Sequence, residues 1–336
     1  MLCPKPVLGK YVVLRGLVLL YSYVVYTYLV STHQFDVLAT LLAINTMEYV
    51  STHVIPLNAV KLQVDRDVGT LYALVPLSLV AVLLNVNIAI VAPAMLLFAL
   101  SEFYINVETE KALLFHTVPL IVLYTSLLSG NAVLAFYLYV ISRLIILRPK
   151  PVLPKLNMHT LKSHLPLYSS NLLALLAKQT ANMLLVASGY GGVIDQGEYY
   201  FWYKVAGIPY NFATPLVQMK VSGKKVFVLF ALLSAVVAYL NPFAGLTFLL
   251  NSTSFLAVDK LKETVLSGAE RATVLAYIAS ASVSVSLSIL YYIMKLGIFT
   301  FMTVGGLSNL VFVVVSHVWY TKSKSRFFAP AGKSNT

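Results

Sequence analysis

The chain has 336 residues, 59% of them hydrophobic and 11% charged, with a net charge of +12. A soluble domain carries about 25% charged residues, so this composition excludes one and points to a polytopic membrane protein. Cys3 is the only cysteine, which excludes an intrachain disulfide, a thiolate metal centre and a CxxC redox pair.

The apolar runs, taken in order, give twelve candidate spans at 8–30, 36–57, 68–84, 88–106, 113–128, 132–147, 165–187, 197–219, 226–240, 243–258, 272–294 and 297–320. Crossing a bilayer takes about 20 helical residues, so several of these are short. The first run follows Lys5 and Lys10 as the core of a signal peptide would, yet no small-residue cleavage site follows at Ser31, Thr32 and His33. It is expected to remain as a first helix. Three pairs of spans are divided only by Asn85-Val86-Asn87, Ser129-Gly130-Asn131 and Asn241-Pro242, which are turn residues. Each pair reads as a tight helical hairpin; reading one as a single broken helix would give eleven.

Lysine and arginine gather in every second loop of a membrane protein. With twelve spans, 20 of the 24 basic residues, Arg143 among them, fall to one side and only Lys295 to the other; Arg15, Lys178 and Lys204 lie within spans. That asymmetry places both termini in the cytoplasm, and the positive balance is a topology signal rather than a nucleic-acid one. The longest cytoplasmic connection, 148–164, carries Pro149, Pro151 and Pro154 with three lysines and reads as a linker. The expected organisation is a six-helix lobe at 1–148, the linker at 149–164, a second six-helix lobe at 165–321 and a cytoplasmic tail at 322–336. The outward loops are a few residues each, the largest being 188–196.

Catalytic patterns are sparse. Asp65 and Asp67, in VDRDV, are the only close aspartate pair, and a prenyl or glycosyl transferase binding pyrophosphate through magnesium needs several converging carboxylates. The six histidines show no HxxxH or HExxH spacing and no GxSxG elbow occurs, so neither zinc nor serine-hydrolase chemistry is indicated. No cofactor and no enzymatic activity are expected.

The charges inside the spans say more, because a charge within the bilayer is costly and usually functional. Lys178 lies nine residues from the outer end of the seventh span and Lys204 seven residues from the outer start of the eighth. At helical rise these are depths of about 13 and about 10 Å, so neighbouring antiparallel helices bring them to similar levels. Facing an aqueous cavity, they would suit phosphate or pyrophosphate, which lysine binds as a point charge. Otherwise they are neutralised by Glu48, near the middle of the second span, or reach the interface along their stems. Arg15 divides between snorkelling and a substrate role. Glu48 divides between a structural ion pair and carrying a coupling proton, and Glu102 reads as an interfacial charge. Asn45, Gln179 and Asn182 could bind sugar hydroxyls, although hydrogen bonding between helices is the commoner fate of intramembrane amides. Tyr199, Tyr200, Tyr203 and Tyr210 surround Trp202, and Pro209 is expected to kink the eighth span.

The stretch 165–209 resembles the polysaccharide and lipid-linked oligosaccharide flippases of the multidrug, oligosaccharidyl-lipid and polysaccharide exporter superfamily. The likeness rests on Leu165-Pro166, the polar break from Lys178 to Asn182, Leu184-Leu185 with Gly189, then Gly197, Tyr199 or Tyr200, Tyr203-Lys204 and Pro209. It implies two six-helix lobes around a cationic cavity that opens to each face in turn, with Arg15, Lys178 and Lys204 serving the lipid pyrophosphate. The chain departs from that pattern at Glu48, where a base is usual, at STHQFDVL after the first span, and at Asn182, where many members have aspartate.

The expectation is therefore an all-α, polytopic protein of about twelve transmembrane helices in two lobes. It would act as a monomer in the plasma membrane, its partners being membrane lipids and a lipid-linked glycan, with no nucleic acid. Arg15, Lys178, Lys204, Gln179, Asn182 and Asn45 are the substrate-binding candidates and Glu48 the coupling candidate. A cation-coupled multidrug exporter and an integral membrane glycosyl or prenyl transferase are the competing readings.

Overall fold

All three turn signals break helices. Asn131 accepts from Leu134 N–H at 2.9 Å and so caps the helix behind it, with Gly130 at a φ of 74° just before. Asn241 caps through Ala244 N–H at 3.0 Å and is followed by Pro242 at the first helical position. Asn85 accepts from Asn87 N–H at 3.1 Å.

The structure, a computed structural model, describes residues 5–55, 68–107, 112–149, 152–163, 165–212, 223–256 and 270–327. Among them every regular element is helical: α1 (Lys5–Ser31), α2 (Phe35–Val54), α3 (Val68–Leu74), α4 (Ala92–Val107), α5 (Ala112–Leu127), α6 (Ala132–Leu147), α7 (Met158–Ser163), α8 (Leu165–Ser188), α9 (Gly192–Ala206), α10 (Gly223–Leu240), α11 (Pro242–Ser252), α12 (Glu270–Ile293) and α13 (Thr300–Phe327). Two tighter 3₁₀ stretches, Val75–Leu84 and Val86–Val91, join α3 to α4. Asp65, Asp67, His164 and the tail beyond 327 lie outside the described residues.

By length and composition, three helical stretches among the described residues are long and apolar enough to cross a membrane: Gly223–Leu240, Val274–Ile293 and Thr300–Val318. Shorter apolar helices occupy Gly16–Ser31, Tyr72–Leu84, Val86–Glu102, Thr117–Leu127 and Ala132–Leu147. The exterior is oily, as on α10, where Leu232 is 68% and Val236 62% exposed. Many buried positions are polar, including Ser22, Thr46, Asn171, Asn182 and Ser284. That arrangement suits a hydrocarbon surround, where polar groups gain by turning inward.

α2 is the central helix. It packs on the Val75–Leu84 stretch, α4, α6, α8 and α9. A Cβ on Gly197 of α9 would stand 2.3 Å from the carbonyl oxygen of Phe35, so only glycine permits that crossing. α8, α12 and α13 are joined by small hydroxyls. Ser308 Oγ donates to Ala177 O at 2.6 Å, and the Ser280 and Ser308 hydroxyls meet at 2.7 Å, the small-residue packing that lets helices approach in lipid. A separate cluster of Ile55, Ala99, Phe115 and Leu147, with Tyr72 and Leu74, gathers the ends of α2, α3 and α6, the first turn of α5 and the middle of α4.

The eighth expected span differs at both ends. α9 begins at Gly192, with Asp195 in its first turn where the helix dipole favours an acid, so the connection from α8 is only 189–191. α9 then stops at Gly207 and helix resumes at 208–212, a break that Pro209 explains by lacking an N–H for the Val205 carbonyl. The exposed carbonyls find other donors: Tyr23 O–H gives to Lys204 O at 2.7 Å, and Asn251 Nδ2 to Ala206 O at 2.9 Å.

Candidate functional site

A cavity of about 190 Å³ lies between α1, α2, α5, α6 and α9. α1 turns Ser22, Tyr23 and Tyr26 toward it at successive helical spacings, α2 adds Asn45 and Glu48, α5 adds Tyr124, α6 adds Tyr139, and α9 adds Tyr200 and Lys204. Tyr26 anchors the aromatic wall edge-on, with ring centroids 5.8 Å from Tyr124 and 5.9 Å from Tyr200.

Lys204 sits in the last turn before the Pro209 break, and that break directs it. Tyr23 ties its carbonyl to α1 while its ammonium donates to Asn45 Oδ1 at 2.8 Å and stands 5.0 Å from the Tyr200 ring centroid. Glu48, one turn along α2 from Asn45, has Arg143 and Lys204 as its cationic neighbours and Glu102 as its acidic one. The cavity thus holds one cation, one acid, the two amides of Asn45 and Asn211 and several phenols, a set that can hold an anion at Lys204 or a cation at Glu48.

Lys178 does not line this cavity. Its ammonium donates to Tyr210 O–H at 2.5 Å and stands 4.9 Å from that ring's centroid, with Tyr49 and Tyr277 as further neighbours. Tyr49 is one turn beyond Asn45, so the two lysines address consecutive turns of α2. Between them, on α8 and α9, Asn182 Nδ2 donates to Gln179 Oε1 at 2.8 Å, Gln179 Nε2 reaches Tyr203 at 3.4 Å, and Tyr199 O–H donates to Asn182 Oδ1 at 2.7 Å. Gln179 and Asn182 are buried in that interhelical chain and do not reach the cavity. Asn45, Glu48 and Lys204 do. Arg15 belongs to α1, but its side chain lies outside what is described.

Arg143 is the residue that sequence reading misplaces. It is no loop charge: it lies within α6, its side chain 2% exposed, paired through Nη2 with Glu102 Oε1 of α4. Nη1 donates to Tyr139 O–H at 2.9 Å, and the guanidinium lies 4.5 Å from the Phe98 ring centroid and 4.2 Å from that of Phe115. Glu102, expected as an interfacial charge, is its partner, and Tyr139 links the pair to the cavity wall. A pointer in the sequence was Tyr139-x-x-x-Arg143, a one-turn spacing that carries the base back onto the tyrosine.

No family model matches the chain, and no curated protein or solved structure matches it. Its class stands on its own architecture, which is all-helical among the described residues, with apolar helices compatible with a membrane.

Proposed function

We propose that the protein is a flippase that carries a polyprenyl phosphate- or pyrophosphate-linked glycan across the plasma membrane by alternating access. In this reading its helices form twelve spans in two lobes, with both termini in the cytoplasm. The observation that carries the proposal is the Lys204 ammonium, held on Asn45 within a partly enclosed cavity beside α2. At about 190 Å³ that cavity is smaller than the roughly 300–1,000 Å³ of ligand pockets. It accommodates a phosphate-sized head group, and the glycan requires an open state. Lys178 of α8, facing the next turn of α2 at Tyr49, supplies the second cation as the lobes part, and Glu48 carries the coupling proton.

Glu48 in the same cavity favours a second reading, a cation-coupled exporter of cationic compounds. Translocation of a polyprenyl-diphosphate sugar in reconstituted vesicles separates the two. Lys204→Ala and Lys178→Ala are each expected to slow it at least tenfold; unchanged translocation in the double variant would remove the proposal.

A further inference from the structure

The linker between α6 and α8 presents an unusual face. Its backbone is tied down on the protein side: Lys155 N–H donates to Gly69 O at 2.9 Å, Thr70 Oγ1 donates to Lys155 O at 2.9 Å, and Asn157 N–H donates to Thr70 Oγ1 at 2.8 Å. Asn157 Oδ1 then caps α7 by accepting from His159 N–H at 3.0 Å. With the backbone fixed, the side chains turn outward. Leu153 is 87%, Leu156 56% and Met158 55% exposed. Arg148, Lys155 and Lys162 are exposed beside them, and no acid occurs from 148 to 163.

Three large apolar side chains on a short connection are not there to complete the core, since the linker already has its contacts with Gly69 and Thr70. Cations and apolar groups together, in a segment that carries no acid of its own, match the layer where acyl chains meet anionic headgroups. Position agrees. The linker leaves α6 directly after Leu147, which packs in one cluster with Ile55 at the end of α2 and Phe115 in the first turn of α5.

We propose that residues 152–163, with Arg148, form an interfacial anchor that docks on anionic phospholipid, Leu153, Leu156 and Met158 entering the acyl boundary and Arg148, Lys155 and Lys162 meeting the phosphates. The anchor holds the start of α3 and the approach to α8 at the membrane surface. It does not depend on what the cavity carries.

The test uses the full chain in vesicles, with Cys3 replaced by serine and an environment-sensitive fluorophore on Leu156→Cys. A second probe on Ile145→Cys, a position 65% exposed on α6, reports insertion independently. In phosphatidylglycerol-containing vesicles the Leu156 probe is expected to show blue-shifted emission and quenching by headgroup-proximal spin-labelled lipid. Lys155→Ala with Lys162→Ala is expected to lower the docked-to-undocked ratio by more than about tenfold. Water-like, unquenched emission at Leu156 while the Ile145 probe is quenched would overturn the proposal. So would equal quenching in phosphatidylcholine and phosphatidylglycerol vesicles.

Discussion

Arg143→Met is expected to destabilise the folded protein by about 3–5 kcal/mol, the usual cost of leaving a buried charge without its partner. The substitution strands Glu102 on α4, withdraws the donor from Tyr139 and empties the space between Phe98 and Phe115. Glu102→Gln strands the guanidinium instead, and is expected to cost less because the amide oxygen still accepts. Combining Arg143→Met with Glu102→Leu removes both charges and fills the site with apolar volume, so it is expected to recover most of the loss. Thermal unfolding of the purified variants in detergent, followed by the surviving monodisperse fraction, measures all three. Single variants as stable as the parent would show that the pair is solvated. A double variant worse than either single would show that the charges hold α4 to α6 in a way apolar packing does not replace.

Lys204→Gln is expected to weaken anion binding, and Glu48→Gln is not. Hydrogen bonds to charged groups contribute about 1.5–3 kcal/mol, so losing the ammonium is expected to weaken binding of a polyprenyl diphosphate by about tenfold to a hundredfold. Neutralising Glu48 removes a negative neighbour of that ammonium and is expected to leave binding unchanged or tighten it. At a partly buried site the attraction or repulsion of two unit charges is worth up to about 4 kcal/mol at 4 Å, enough to set the sign. Binding is measured on purified protein at fixed ionic strength. The exporter reading gives the reverse: cationic compounds lost in Glu48→Gln, and the diphosphate indifferent to Lys204→Gln.

Local chemistry was the legible part of the fold. Asn85, Gly130-Asn131 and Asn241-Pro242 break helices where their side chains indicate, because capping depends on neighbours within three residues. Pro209 announced its break for the same reason. The 3₁₀ stretch from Val75 to Leu84 was hidden, since a continuous apolar run has no period to distinguish a tight helix from an α-helix. The start of α9 was placed late because Gly192 to Gln196 is polar enough to read as loop.

In the site, Lys178, Lys204 and Glu48 were visible as charges where charge is costly. Their partners were not. Asn45 is 159 positions from Lys204, and only the packing of α9 on α2 brings them together. Arg143 was misread by the same limit: four residues from a helix end, a base resembles a snorkelling one until Glu102, 41 positions away, is placed beside it. Gln179 and Asn182 show the converse, with amides that could meet a sugar instead meeting Tyr203 and Tyr199.

Alternating access to the cavity is tested most directly by a cysteine at Ser22, a cavity-lining position that is 2% exposed, in a chain whose Cys3 is replaced by serine. A membrane-impermeant thiol reagent is applied to one face and then the other of oriented vesicles. The account predicts labelling from both faces, with polyprenyl diphosphate shifting the two rates in opposite directions. Labelling from one face only, or from neither, with or without the diphosphate, would contradict it.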